Sequence, residues 1–152
     1  MNAALYRKAI PADIETIVRF QLAMAYETEQ VRLDPEVVAS GVRAVFEAPS
    51  LGQYHVGERN GRVVGSALVT YEWSDWRNGV VWWLQSVFVI PEVRRQRVFS
   101  GLYSYITNLA QADAQVRGIR LYVDRRNAAA QQVYTRLGMD GGHYQVYEWM
   151  KP

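Results

Sequence analysis

The chain has no cysteine among its 152 residues, which removes disulfide scaffolds, thiolate metal sites and cysteine nucleophiles together. Histidine is nearly as scarce. His55 and His143 stand far apart with no second ligand cluster near either, so a metal centre or a Ser-His-Asp triad has little to be built from; both read as structural or surface residues. No apolar run approaches the roughly 20 residues needed to span a bilayer, and no membrane partner is expected. The opening MNAALYRKAIPAD puts charge where a signal peptide needs an apolar centre, so the expected location is the cytoplasm. Charge of one sign is not in excess either: 17 basic against 15 acidic residues give a net charge of +2, too mild to indicate nucleic acid.

What is present is ordinary for a globular protein, with 49% hydrophobic and 21% charged residues. One domain over residues 1–152 is expected, long enough to bury about 70% of the surface its unfolded chain exposes.

Residues 4–10 alternate like a strand, and Pro11 ends them before a helical pattern that starts at Asp13 and buries Ile14, Ile17, Val18, Leu22 and Ala25. A second helix follows the capping candidate Asp34 and stops at Pro49. Residues 53–73 read as a hairpin, because Asn60-Gly61 is the dipeptide a tight primed turn demands. Residues 80–90 are the next strand. From Val98 the apolar positions 98, 102, 105, 106, 109 and 116 keep helical spacing, with Gly118 as the stop. Residues 119–124 predict a strand, Asn127 caps a short helix closed by Gly138, and YQVYEWM at 144–150 predicts a last strand. The fold class is therefore α+β, with about four helices covering a mixed, mostly antiparallel sheet in the order β-α-α-β-β-β-α-β-α-β.

The basic feature is local. VFVIPEVRRQRVFSGLY, residues 87–103, runs from a strand through Pro91 into Arg94, Arg95, Gln96 and Arg97 and directly into a helix. Unpaired amides and the positive dipole end at a helix start form an anion site. Arginines are unfavourable there unless an anion is resident. Asn127 and Tyr134, seven residues apart in a helix, point within about 20° of one direction and stand roughly 10 Å apart along the axis, so one groove can touch both.

VFVIPEVRRQRVFSGL and NAAAQQVYTRLGM resemble the two motifs of the GCN5-related N-acetyltransferase (GNAT) superfamily, and the element order matches along nearly the whole chain. The resemblance implies acetyl-CoA as co-substrate, no metal, and transfer of an acetyl group to a primary amine of a small molecule or peptide by direct attack in a ternary complex. It implies that Val87, Phe88 and Val89 lie on the strand that pairs with the pantetheine arm, that Arg94 matches the family's Arg/Gln position, and that the amides of Arg95, Gln96, Arg97, Val98, Phe99 and Ser100 cradle the pyrophosphate. Arg97 and Phe99 depart from the pattern by standing where glycines are usual. Asn127 and Tyr134 complete the cofactor side, with Tyr134 as the proton donor to the leaving thiolate.

The general base has several candidates. Gln85 stands where many relatives carry Glu, and neither it nor Tyr122 is a base. Glu27, Glu29 and Glu72 are the catalytic candidates. Glu27 and Glu29, which oppose the dipole at a helix end, join Trp73, Asp75 and Trp76 as candidate walls of an acceptor pocket that could stack on a cation. Two rivals stand beside this reading. One is a catalytically silent CoA-binding module, suggested by Arg97, Phe99 and Gln85; the other is an RNA-binding domain using the arginine loop. A homodimer is left open.

Overall fold

The computed structural model describes residues 2–152. Its elements are β1 (Leu5–Lys8), α1 (Ile14–Glu29), α2 (Pro35–Glu47), β2 (Gln53–Arg59), β3 (Arg62–Ser74), β4 (Gly79–Val89), α3 (Val98–Ala112), β5 (Val116–Arg120) and α4 (Ala128–Arg136), with single 3-10 turns at Pro11–Asp13 and Pro91–Val93. Two compact units contain them: one ends at Arg120, the other is Leu121–Pro152.

In the first unit the sheet order is β1-β2-β3-β4-β5. The first three pairs are antiparallel and β4 pairs β5 in parallel, the mixed sheet that the sequence predicts. The β2–β3 turn uses left-handed backbone at both Asn60 (φ 52°) and Gly61 (φ 73°), as a primed hairpin requires. Alternation divides the sheet into two faces. Tyr54 and Val56 pack under Ile17 of α1 and Val42 of α2, while the opposite face receives α3. That helix sits so close to β1 that a Cβ on Gly101 would overlap the Tyr6 ring, so only glycine permits the approach.

The start of α1 is pinned by charge. Arg7 on β1 donates to both oxygens of buried Asp13 and to Glu58 on β2. Burial works against an ionised Asp13, but the Arg7 guanidinium and the Ile10 amide outweigh it and hold the carboxyl below its usual range.

Caps act where the sequence places them: Asp34 accepts from the Glu36 amide and Asn127 from the Ala130 amide. Two expectations fail. α3 ends at Ala112 with Asp113 in extended backbone, so Val116 and Gly118 belong to β5; the apolar residue at 116 fits helical spacing and strand alternation equally, and the cap decides. Residues 144–150 form no strand, because alternation selects a face but supplies no neighbour to hydrogen-bond with.

Candidate active site

β4 changes character halfway along. Its parallel pairing with β5 covers Val80 to Trp83, and β5 stops at Arg120, so, among the described residues, 84–89 have a strand neighbour on the β3 side alone. On that side the register jumps: Leu68 faces Gln85 but Ser66 faces Phe88. Ala67 therefore stands against two residues, Ser86 and Val87, and Ser86 takes up a left-handed φ of 51°. This is a β-bulge. Beyond it Ile90 donates to Val64 on β3; by alternation Phe88 shares that edge, and Val89 turns its amide and carbonyl to the open one.

The open edge leads through Pro91–Val93 to the arginine loop. Arg95 (φ 61°) and Arg97 (φ 63°) are both left-handed. Arg97 is the N-cap of α3, makes no side-chain cap, and the first turn of α3 contains no acid. These first-turn amides have no intrahelical acceptors and no anionic side chain satisfies them locally, so the residues present fit a phosphate group. Gln96 ties the loop to the β2 end by accepting from Arg59 at 2.6 Å, and Phe99 packs on Tyr103 one turn along.

Arg94 points the other way. Its Nε donates to the Val89 carbonyl at 2.8 Å, its Nη1 and Nη2 donate to Glu27 Oε1 and Oε2 at 2.5 and 2.9 Å, and its guanidinium lies 5.5 Å from the centre of the Phe88 ring. The Arg94 hydrogen bonds hold the Glu27 carboxyl below the usual range. A carboxylate so paired is a weaker base than a solvated one.

The other candidates divide by face. Glu72 accepts from Trp83 Nε1 at 3.3 Å and from Arg120 Nη1 at 2.5 Å. Gln85 donates to Thr70 at 2.5 Å. The register places Thr70, Glu72, Trp83 and Gln85 on the α1–α2 face. Trp73 lies on the opposite face, and Trp76, nearly fully exposed, stands in the β3–β4 turn, where Asp75 accepts its amide. The structure thus brings Glu72 to Trp83 and Arg120, Gln85 to Thr70, and Glu27 to Arg94, and it does not join Trp73 to Glu72. Glu29 is the exposed last residue of α1. Among the described residues no cluster of His, Cys, Asp or Glu could hold a metal, and no helix is long and apolar enough to cross a membrane.

In the second unit Asn127 serves as the N-cap of α4. Tyr134 is half-buried on the same helix, and burial raises the pKa of its hydroxyl. Sequence reasoning missed Ser86, Arg120 and the Glu27–Arg94 pair. Nothing local marks a serine as a bulge residue, and pairs across 67 residues leave no trace in spacing.

A mixed sheet with one parallel pair, the two N-terminal helices on one face and α3 on the other, defines an acetyltransferase fold. The model of the acetyltransferase (GNAT) family matches residues 15–139, and the chain belongs to that family. A possible acetyltransferase from Clostridium difficile 630 is 39% identical with a TM-score of 0.91, the match covering 99% of both chains. A predicted acetyltransferase from Clostridium acetobutylicum, solved with acetyl-CoA, has a TM-score of 0.72 at 16% identity over 99% of this chain and 96% of its own. Glucosamine-6-phosphate N-acetyltransferase from Arabidopsis thaliana has 0.73 at 15% over 99% and 100%. The last two share the fold. No curated protein sequence matches the chain.

Proposed function

We propose that the protein is an acetyl-CoA-dependent N-acetyltransferase in which a primary amine of a small molecule or peptide attacks the thioester directly in a ternary complex. The observation that carries this is the open β4 edge, bulged at Ser86–Val87 and continuous with an uncapped α3 start. An extended amide-bearing arm can add to that edge as a strand does, and a phosphate can end at the helix amides. Acetyl-CoA, when bound, supplies the activated acyl group.

The chain's own residues do the rest. The backbone at the bulge offers an N–H to the developing oxyanion, fixed before reaction. From its place in the NAAAQQVYTRLGM motif, Tyr134 is the residue assigned to donate a hydrogen bond to the leaving sulfur. Glu72, held by Arg120 and Trp83, pairs in register with Val81 while Gln85 pairs with Leu68, so the amine proton leaves through water rather than to a carboxylate beside Gln85. At neutral pH about 0.1% to 1% of an alkyl amine with pKa near 10 is free base, so assistance there lowers the barrier by a few kcal/mol.

Acetyl-CoA at 100 times its dissociation constant adds about 2.7 kcal/mol to folding stability. A rise in melting temperature with millimolar acetyl-CoA, together with thiol release in an amine panel, is the expected result; no shift sinks the proposal. A shift without transfer to any amine favours the silent binding module.

Arg97 makes a separate prediction. A non-glycine residue in left-handed backbone is strained by about 1–2 kcal/mol, and part of the relief is offset by the extra unfolded-state freedom of glycine. Arg97→Gly is expected to raise stability by about 0.5–1 kcal/mol and to bind CoA as tightly or more tightly. Titration at two salt concentrations checks it. A salt-sensitive loss of about tenfold or more means the guanidinium itself holds phosphate.

A further inference from the structure

We infer that Glu27 and Arg94 form a latch operated by the cofactor: the cofactor displaces Arg94 from the β4 edge, and the released Glu27 carboxylate receives the cationic acceptor. The inference rests on the acetyltransferase reading and assigns Glu27 a positioning role within it.

The three contacts of Arg94 all point to this. Val89 presents its carbonyl to the open edge, and that carbonyl is the acceptor an added strand needs. Arg94 Nε already occupies it, with the guanidinium lying over Phe88. A ligand arm along this edge and the Arg94 side chain claim the same place. The remaining guanidinium nitrogens hold both Glu27 oxygens, so moving Arg94 breaks the ion pair as well.

Phosphate resembles carboxylate in accepting two parallel N–H donors from one guanidinium. Arg94 therefore exchanges one bidentate partner for another when a pyrophosphate arrives at the adjacent loop, and the exchange is nearly balanced in energy. Glu27 is left anionic without its counter-ion near the C-terminal end of α1, where the helix dipole already disfavours negative charge. An alkylammonium group relieves that state. The consequence is order: the cofactor binds first, and the amine gains its anchor only then.

The test is a double-mutant cycle. CoA affinity is measured for the wild-type protein, Glu27→Gln, Arg94→Gln and the double variant, and acetyl transfer is followed against amine concentration. Both side chains of the pair are more than a third exposed, so the variants keep the fold, which circular dichroism verifies. The latch requires Glu27→Gln to tighten CoA binding by about fivefold or more when Arg94 is present and to leave it unchanged in the Arg94→Gln background. It also requires the KM for the amine to rise about tenfold with kcat nearly constant. Equal tightening in both backgrounds means a charge effect through space, and weaker CoA binding means the pair preorganises the loop; either overturns the latch alone. Absence of CoA binding to the wild-type protein overturns the acetyltransferase reading and the latch with it.

Discussion

Tyr134→Phe is expected to lower acetyl-transfer turnover by about 10- to 1000-fold while the far-ultraviolet spectrum and melting temperature stay close to those of the parent. The substitution keeps the ring's packing and removes the hydroxyl alone. Burial raises the Tyr134 pKa, so the hydroxyl keeps its proton at neutral pH. Complete transfer to a thiolate with pKa near 8.5 from a phenol near 10 is uphill by about 2 kcal/mol, and the raised pKa adds to this. The role we propose for it is therefore a hydrogen bond to the leaving sulfur rather than delivery of the proton. Steady-state turnover at saturating amine decides, and an unchanged value returns Tyr134 to packing.

Mild acid is expected to remove about 3 kcal/mol of folding stability through His55 alone. The ring is 2% exposed, packs edge-on to Tyr105, and its Nδ1 has no hydrogen-bond partner. Burial first, and the charge of Lys8 second, push its pKa from 6.5 down to about 4. The unfolded chain therefore takes up the proton below pH 6.5 and the folded one only near pH 4, so the contribution is complete above pH 6.5 and is lost as pH falls through that window. Asp13 and Glu27, both lowered, lose their own contributions as pH falls through the ordinary carboxylate range, so they add to the decline only at its acid end. Urea unfolding at pH 7, 5.5 and 4.5 should show the decline, and His55→Gln should flatten it. An equal decline in His55→Gln assigns the effect to other groups.

Much of this architecture was legible because local chemistry and tertiary packing agree. The Asn60-Gly61 turn, the Asp34 and Asn127 caps and the glycine stop at Gly138 each have one backbone solution, and the structure uses it. Where two solutions fit one pattern, the sequence could not choose between them. Val116 suited a helix and a strand alike, and YQVYEWM carries strand alternation without a strand neighbour. The candidate site divides similarly. Its loop and helix start follow from contiguous residues, whereas the bulge at Ser86 and the pairs Glu27–Arg94 and Glu72–Arg120 arise from segments far apart in the chain. The arginine at the glycine position was visible as a departure from pattern. Only the φ of 63° shows that the backbone kept the glycine conformation.

The order of the sheet also bears on how the protein reaches its working form. β2, β3 and β4 are neighbours in both chain and sheet, and hairpins of this kind close within about 1–10 μs. β5 reaches β4 only after the whole of α3 has been traversed, and such non-local parallel pairing is slow because its loop entropy is lost before contacts return it. The meander is thus expected to assemble first and the β4–β5 junction, next to the proposed cofactor edge, to close late. A substitution that weakens that junction would leave a chain with most of its scaffold intact and β5 undocked, so loss of activity and loss of global fold need not share one midpoint during unfolding.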